Sequence, residues 1–350
     1  MRIAQVAPLA ESVPPTRYGG TERVVSYLTE ELVALGHTVT LFASSDSVTN
    51  ARLVAGCGSA LWHNPSSRET LPHHILLMEK VFSDISQFDV IHFHTDYVQF
   101  PMLRRHSCPG ITTLHGFLNP ADLAPFFTAF PEFPVVSISE AQRAPVPWAN
   151  WLGTVHHGLP LNLHSLRSQH GQYLALLGRI SPEKRLDRAI EIARRSGLRL
   201  KVAAKIYPEE RGYYEETIEP LLRESRYFVE IIGEIDVRTK NEFLGGALAL
   251  LFPIDWEEPF GLVMIEAMAC GTPVIAWPRG SVPDVIDNGV TGFIVNDIDA
   301  AVQAVKHVKE IDRLVCRRVF EERFDARRMA RRYVDLYKLA IEQHRRKVEA

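Results

Sequence analysis

Short apolar runs alternate with amphipathic stretches along almost the whole of this chain, and that alternation narrows the fold to parallel strands joined by crossover helices. In the first half, residues 2–8 and 38–43 read as strands, with 21–35 the helix between them, closed by Gly36. Further strands are expected at 90–94, 111–115, 135–137 and 154–157, with a shorter apolar run near Leu53 and a helix at 75–82. Residues 158–172 are polar and aperiodic and read as a linker. The alternation then restarts, with strands expected at 173–177, 198–203, 227–232, 248–252 and 273–276 and a helix at 184–196. At 350 residues the chain exceeds what one hydrophobic core ordinarily serves. The expectation is therefore an α/β protein of two facing Rossmann-like domains with parallel sheets, 1–165 and 166–350. A long arginine-rich helix from about Asp325 ends the second half. Charge on an exposed helix is ordinary, so it reads as structural, either solvated or crossing back to brace the first domain.

Composition excludes several classes of function. With 46% hydrophobic and 23% charged residues the chain reads as globular, and a net charge of -3 gives no reason to expect a nucleic-acid partner. The opening MRIAQVAPLA reads as a buried strand rather than a signal peptide, and no apolar run approaches the roughly 20 residues that span a bilayer. Cys57, Cys108, Cys270 and Cys316 lack metal-ligand or disulfide spacing, which suits a reducing cytoplasm and a packing role.

The most informative stretch is 251–276, LFPIDWEEPFGLVMIEAMACGTPVIA. Pro259 suits the first turn of a helix, which would leave the N–H groups of Phe260, Gly261 and Leu262 free to bind an anion or a sugar hydroxyl. Glu258 stands just before that turn, and Gly261 lets a ligand approach the backbone. Glu266 lies in an apolar run, where an unpaired carboxylate would cost roughly 1–3 kcal/mol or more, so it needs a partner. A vicinal diol would serve, and so would a buried salt bridge or a helix cap. In LLGRISPEKRLD, Arg179 closes a strand and Lys184 opens a helix; two cations there can neutralise a diphosphate without a metal, though ordinary surface charge is the alternative.

Weaker signals come from the first half. Gly19 and Gly20 in RYGGTERVV could admit phosphate or form a plain tight turn. Histidines collect at strand ends: His92 and His94, His115, then His156 and His157. Hydrogen bonding or sugar contact explains them more simply than a metal. Asp297 and Asp299 in VNDIDAA read as a helix cap rather than a metal-binding pair.

Taken together, YGGTERVV, DVIHFHTDY, TLHGF, HHGLP, GRISPEK and EPFGLVMIEAMACGTPVIA resemble the retaining family-4 glycosyltransferases of GT-B fold, in the same order along nearly the whole chain. The resemblance implies an inter-domain cleft with acceptor binding in the first domain and a nucleotide-sugar donor in the second. Glu258 and Glu266 match an E-x7-E pair. Glu258 with the backbone of Phe260, Gly261 and Leu262 would hold the donor sugar and Glu266 the ribose. Arg179 and Lys184 would stabilise the departing diphosphate, Gly20, beside Gly19, would face the phosphates, and His115 would approach the sugar. HHGLP stands where many relatives have Asn-Gly-Val. No carboxylate of the first half stands as an obvious nucleophile, which favours front-face substitution. The implied reaction moves a sugar from a UDP- or GDP-linked donor to a carbohydrate, lipid-linked or small-molecule hydroxyl acceptor, without cofactor or metal. It would run in the cytoplasm, with weak peripheral contact at the inner face of the membrane through Arg104, Arg105 and the basic C-terminal helix. Alternatives are a non-catalytic nucleotide-sugar or glycan-binding protein and a GT-B nucleotide-sugar epimerase.

Overall fold

The structure, a computed structural model, describes residues 1–16, 19–64 and 66–349; Arg17 and Tyr18 of the glycine-pair motif lie outside the described residues. The chain forms two compact units. The first is Met1–Pro160 together with Ala326–Ala350, and the second is Leu161–Asp325. The division falls at Pro160 rather than near 165, and the C-terminal helix belongs to the first unit.

The first unit is built on a seven-stranded, all-parallel sheet of order β3-β2-β1-β4-β5-β6-β7. Its strands are β1 (Arg2–Val6), β2 (Thr38–Ser44), β3 (Arg52–Cys57), β4 (Val90–Phe93), β5 (Gly110–Thr113), β6 (Val135–Ser137) and β7 (Trp151–Thr154). Central strand β1 pairs with β2 on one side, Ile3 opposite Val39, and with β4 on the other, Ile3 opposite Val90. Because both faces are covered, the central strands β1, β2, β4, β5 and β6 are buried along almost their whole length, polar Gln5, His92 and Thr113 included. Helix Gly20–Ala34 buries Val24, Val25, Leu28 and Leu32 along one stripe, and Gly36, at φ +85°, lets the chain turn out of it. The C-terminal helix Ala326–Glu349 buries Met329, Ala330, Tyr333, Tyr337 and Ala340 at the spacing of one helical face. Its entry is fixed by Ala326 N–H, which donates to the Leu159 carbonyl at 3.0 Å.

One expectation fails in this unit. Strand β7 ends at Thr154 instead of running to 157, which leaves His156 and His157 in the turn after it. The Phe- and Pro-rich stretch 116–133 contains a helix, Pro120–Ala129, capped by the Asn119 side chain, which accepts from Ala121 N–H at 3.0 Å. Leu123 and Phe127 are core residues, and Phe126 and Phe130 lie against Phe100. Apart from the exposed Phe117, the aromatic rings of this stretch are packing material for the sheet.

The second unit has a six-stranded parallel sheet of order β10-β9-β8-β11-β12-β13. Its strands are β8 (Tyr173–Arg179), β9 (Arg199–Lys205), β10 (Val229–Ile231), β11 (Ala249–Phe252), β12 (Val274–Ala276) and β13 (Gly292–Ile294). Arg313 is 2% exposed and serves as a bolt: its guanidinium donates to the carbonyls of Arg167, Gly245 and Ala247 and to the Thr272 hydroxyl. Asp297 caps helix Ile298–His307, accepting from Ala300 N–H at 2.7 Å, and Asp299 pairs with Arg195. In each sheet the strand order reverses once, between β1 and β4 and between β8 and β11. Such reversals open a crevice at the C-terminal strand ends. Among the described residues no helix is long and apolar enough to cross a membrane.

Candidate functional site

The reversal in the second sheet collects the charged residues singled out above. Strand β8 ends in Arg179, and a single 3-10 turn, Pro182–Lys184, follows it. Neighbouring β11 ends at Phe252, and the loop after it carries Glu258. Lys184 Nζ is ion-paired with Glu258 Oε2, and that oxygen also accepts from Trp256 Nε1 at 3.0 Å. The ammonium lies 4.9 Å from the Trp256 ring centroid, so an aromatic face and a carboxylate hold it together. The Arg179 guanidinium is forked between Glu210 at 2.7 Å and Glu183 at 2.8 Å. The backbone of Glu258 is fixed too, its carbonyl accepting from Ser281 N–H at 2.9 Å. Only glycine fits beside it: a Cβ on Gly280 would lie 2.2 Å from that carbonyl oxygen, and φ there is +53°.

Lys184 does not open a helix as expected. The helix starts at Leu186, and Arg185 between them sits in the left-handed region at φ 55°. Such a conformation costs a residue with a Cβ on the order of 1–3 kcal/mol. It is held by Asp187 at 2.8 Å and Asp255 at 2.9 Å. Asp255 also takes Arg188, and these arginines hold its carboxyl below the usual range against the opposing effect of burial. The strained residue stands directly after Lys184, in the turn that carries it.

The other helix expectation also shifts. Helix Leu262–Ala269 begins three residues after Pro259, with Gly261 at its N-cap at φ +75° and no side-chain cap. A Cβ on Gly261 would approach the Met264 methyl to 2.8 Å. Phe260 is buried, and its carbonyl accepts from the Ser281 hydroxyl at 2.7 Å. Leu262 stands in the first turn, where backbone N–H groups have no intrahelical partner. Glu266 is 3% exposed, and its partner is a cation: Lys240 Nζ lies 2.7 Å from Oε1. The salt-bridge alternative is therefore realised, and Lys240, on helix Val237–Gly245, carried no local sequence signal. Trp256, Glu210 and Gly280 were likewise passed over; of these only Trp256, beside the EEPF motif, was within reach of sequence reasoning.

Gly19, Gly20 and His115 lie in the first unit. Gly19 is the N-cap of helix Gly20–Ala34 at φ 138°, and a Cβ there would come within 2.8 Å of Pro15. Close packing thus explains Gly19, while Gly20 is exposed at the helix start. The strand-end histidines do converge. His94 Nδ1 lies 2.9 Å from His115 Nε2, His94 Nε2 lies 2.9 Å from Gln5 Oε1, and the His157 ring stacks on that of His115 at 5.3 Å. Burial lowers the pKa of His115 to about 3 and keeps it neutral, although part of the residue remains exposed. His156, next to His157 in the chain, is half-buried.

Residues 165–323 match the model of the family described as glycosyl transferases group 1, and residues 18–152 match that of glycosyltransferase family 4. A probable sucrose-phosphate synthase of Thermosipho melanesiensis is 26% identical over 165 residues, which are 45% of this chain and 39% of that protein. The matched stretch thus spans about two fifths of that curated relative. In fold, the chain is similar to the sucrose-phosphate synthase of Thermosynechococcus elongatus, with a TM-score of 0.80 and 21% identity over 98% of this chain and 100% of that one. It is also similar to Anabaena Alr3699/HepE, solved in complex with UDP and glucose, with a TM-score of 0.72 and 16% identity over 96% of this chain and 98% of that one. These likenesses fix the fold as GT-B. The two family matches follow one another along most of the sequence, and the chain belongs to the group 1, family 4 glycosyltransferases.

Proposed function

We propose that this protein transfers a hexose or related sugar from a nucleoside-diphosphate donor to a hydroxyl acceptor, with the donor held in the second unit. The observation that carries the reading is the Lys184–Glu258 pair beside Arg179 at the strand reversal, with Glu266 buried nearby in sequence. Arg179 and Lys184 both have carboxylate partners. Binding a diphosphate there makes each cation share or exchange its partner for phosphate oxygens, and Glu258 is then released to accept from sugar hydroxyls. Trp256 N–H keeps Glu258 oriented through that exchange. Glu266 and Lys240 together present an acceptor and a donor to the ribose. Phe260, Gly261 and Leu262 supply backbone N–H groups to the sugar or phosphate.

Charge accumulates on the leaving diphosphate as the glycosidic bond breaks, so two fixed cations stabilise the transition state more than the ground state. That arrangement suits a mechanism without an obligatory divalent metal, and front-face substitution with retention, in which the leaving diphosphate helps deprotonate the acceptor. Neutral His115 is proposed as a hydrogen-bond partner for a substrate hydroxyl. UDP in the Anabaena neighbour's complex makes a uridine donor the first to try.

The test is a thermal-shift and titration series with UDP, GDP, ADP and dTDP and their sugar conjugates, with EDTA present throughout. A ligand at a hundred times its Kd adds about 2.7 kcal/mol to the folded state. Stabilisation by one diphosphate, lost in Lys184→Ala and Glu266→Ala and followed by sugar transfer to an acceptor panel, supports the reading. Binding without transfer would favour a nucleotide-sugar-binding protein. A donor that changes configuration with no acceptor present would make the protein an epimerase.

A further inference from the structure

The hydrogen bonds behind His115 run in one direction, and that direction determines which of its ring nitrogens carries the proton. Gln5, on β1, places its amide nitrogen 2.8 Å from Tyr337 Oη and 3.5 Å from His92 Nδ1. Its carbonyl oxygen therefore faces His94 Nε2, at 2.9 Å. A carbonyl only accepts, so His94 Nε2 must hold the proton. Burial keeps His94 neutral, which leaves its Nδ1 with a lone pair. That atom lies 2.9 Å from His115 Nε2, so His115 Nε2 must donate. Neutral His115 then has a lone pair on Nδ1, a buried atom with no hydrogen-bond partner among the described residues.

A second branch agrees with this ordering. Tyr337 accepts from Gln5 and donates to His92 Nδ1 at 2.8 Å, His92 Nε2 donates to Thr113 Oγ1 at 2.7 Å, and Thr113 donates to Tyr333 Oη at 2.9 Å. Each donor meets one acceptor. Turning the Gln5 amide over would reverse every assignment between Gln5 and His115 and place a proton on His115 Nδ1.

We propose that Gln5, anchored by Tyr337 of the C-terminal helix, is a positioning residue that fixes His115 in its Nε2–H tautomer, so that Nδ1 is presented as an acceptor for a substrate hydroxyl. The substrate half of the proposal rests on the glycosyl-transfer reading. The tautomer half does not.

The experiment uses the full chain with 15N-labelled histidine and two-bond 1H–15N correlation, with the His115 signals identified by their loss in His115→Gln. The expected spectrum has His115 Nδ1 unprotonated and Nε2 protonated; a protonated Nδ1 overturns the proposal. Gln5→Met, similar in shape but without the acceptor, is expected to mix the two tautomers, and Gln5→Glu, which keeps it, to restore one. An unchanged His115 spectrum in Gln5→Met removes Gln5 from the role. If that variant does not fold, Tyr337→Phe, which frees the amide to turn, takes its place under the same criterion. Where transfer is measurable, turnover should fall about tenfold in Gln5→Met and recover in Gln5→Glu. The expected spectrum without transfer from any donor would sink the reaction and leave the tautomer standing. Transfer with Nδ1 protonated would do the reverse.

Discussion

At the C-terminal edge of the first sheet the polar side chains are uncharged and pass hydrogen bonds to one another, His115 donating to His94 and His94 to Gln5. At the same edge of the second sheet they are ionised and paired, Lys184 with Glu258, Lys240 with Glu266 and Arg179 with two glutamates. Both arrangements satisfy groups removed from water, but they fail differently. A neutral chain loses its order when one link changes, and its members resist acquiring charge. An ion pair that loses one partner strands a charge, and the penalty is immediate. On the proposed reaction the difference also suits two tasks, since a departing diphosphate would need fixed positive charge while a hydroxyl would need only an oriented lone pair.

The largest expected effect breaks the charged side of the comparison. Lys240→Ala or Glu266→Ala breaks an ion pair whose side chains are 15% and 4% exposed, and should cost about 3–5 kcal/mol in denaturant unfolding. The apolar double change Lys240→Met with Glu266→Leu should recover most of it; if each single variant matches wild type, the pair is not buried as described. Next, Glu258→Ala and Lys184→Ala should each lower turnover about 100- to 1000-fold with the fold intact. Near-wild-type rates in either would remove the pair from the reaction.

A smaller effect, read as a function of pH, separates the units. His92, His94, His115 and His157 all have pKa values lowered by burial, so the unfolded chain binds protons that the folded chain refuses. Their contribution to stability is complete above the unfolded pKa of about 6.5 and is lost as pH falls below it, towards the value of about 3 for His115. Asp255 in the second unit is lowered too, but its contribution begins to fade only as pH falls past the ordinary Asp value of 3.8. Hydrogen exchange followed at pH 7 and pH 5 should therefore show protection falling first in the first unit. Equal loss in both units would contradict the neutral-histidine assignment. The smallest effect is Asp297→Ala, a lost helix cap costing about 0.5–2 kcal/mol with nucleotide binding unchanged. A loss of binding in that variant would mean that the aspartate does more than cap.

The sequence made some of this legible, for physical reasons. Parallel strands buried on both faces are continuous apolar runs, so β1, β2, β8 and β11 could be read directly, and the reversal in strand order followed only once the sheets were assembled. Glu266 announced that it needed a partner because it stands in an apolar run, yet the partner, Lys240, is 26 residues earlier on a helix with no distinguishing pattern. Lys184 was found by its motif, while the left-handed Arg185 that follows it was not, because its strain is held by Asp187 and by Asp255, which is distant in sequence. Helix Pro120–Ala129 was hidden by Pro125, which stands inside it. The histidines were visible as strand ends, and their convergence required the pairing of β1, β4 and β5.

The hydrogen bond from Ala326 to Leu159 has a consequence for the order in which the molecule can be made. The first unit is interrupted: its sheet is synthesised early, but Tyr333 and Tyr337, which cover it and close the Gln5 and His92 links, emerge only with the last helix. Leu161–Asp325 is continuous and can complete its own sheet while that helix is still being translated. Of the two units, the one whose sheet is synthesised first is therefore the one completed last, and until then Gln5, His92 and Thr113 lack the tyrosine hydroxyls that bond to them.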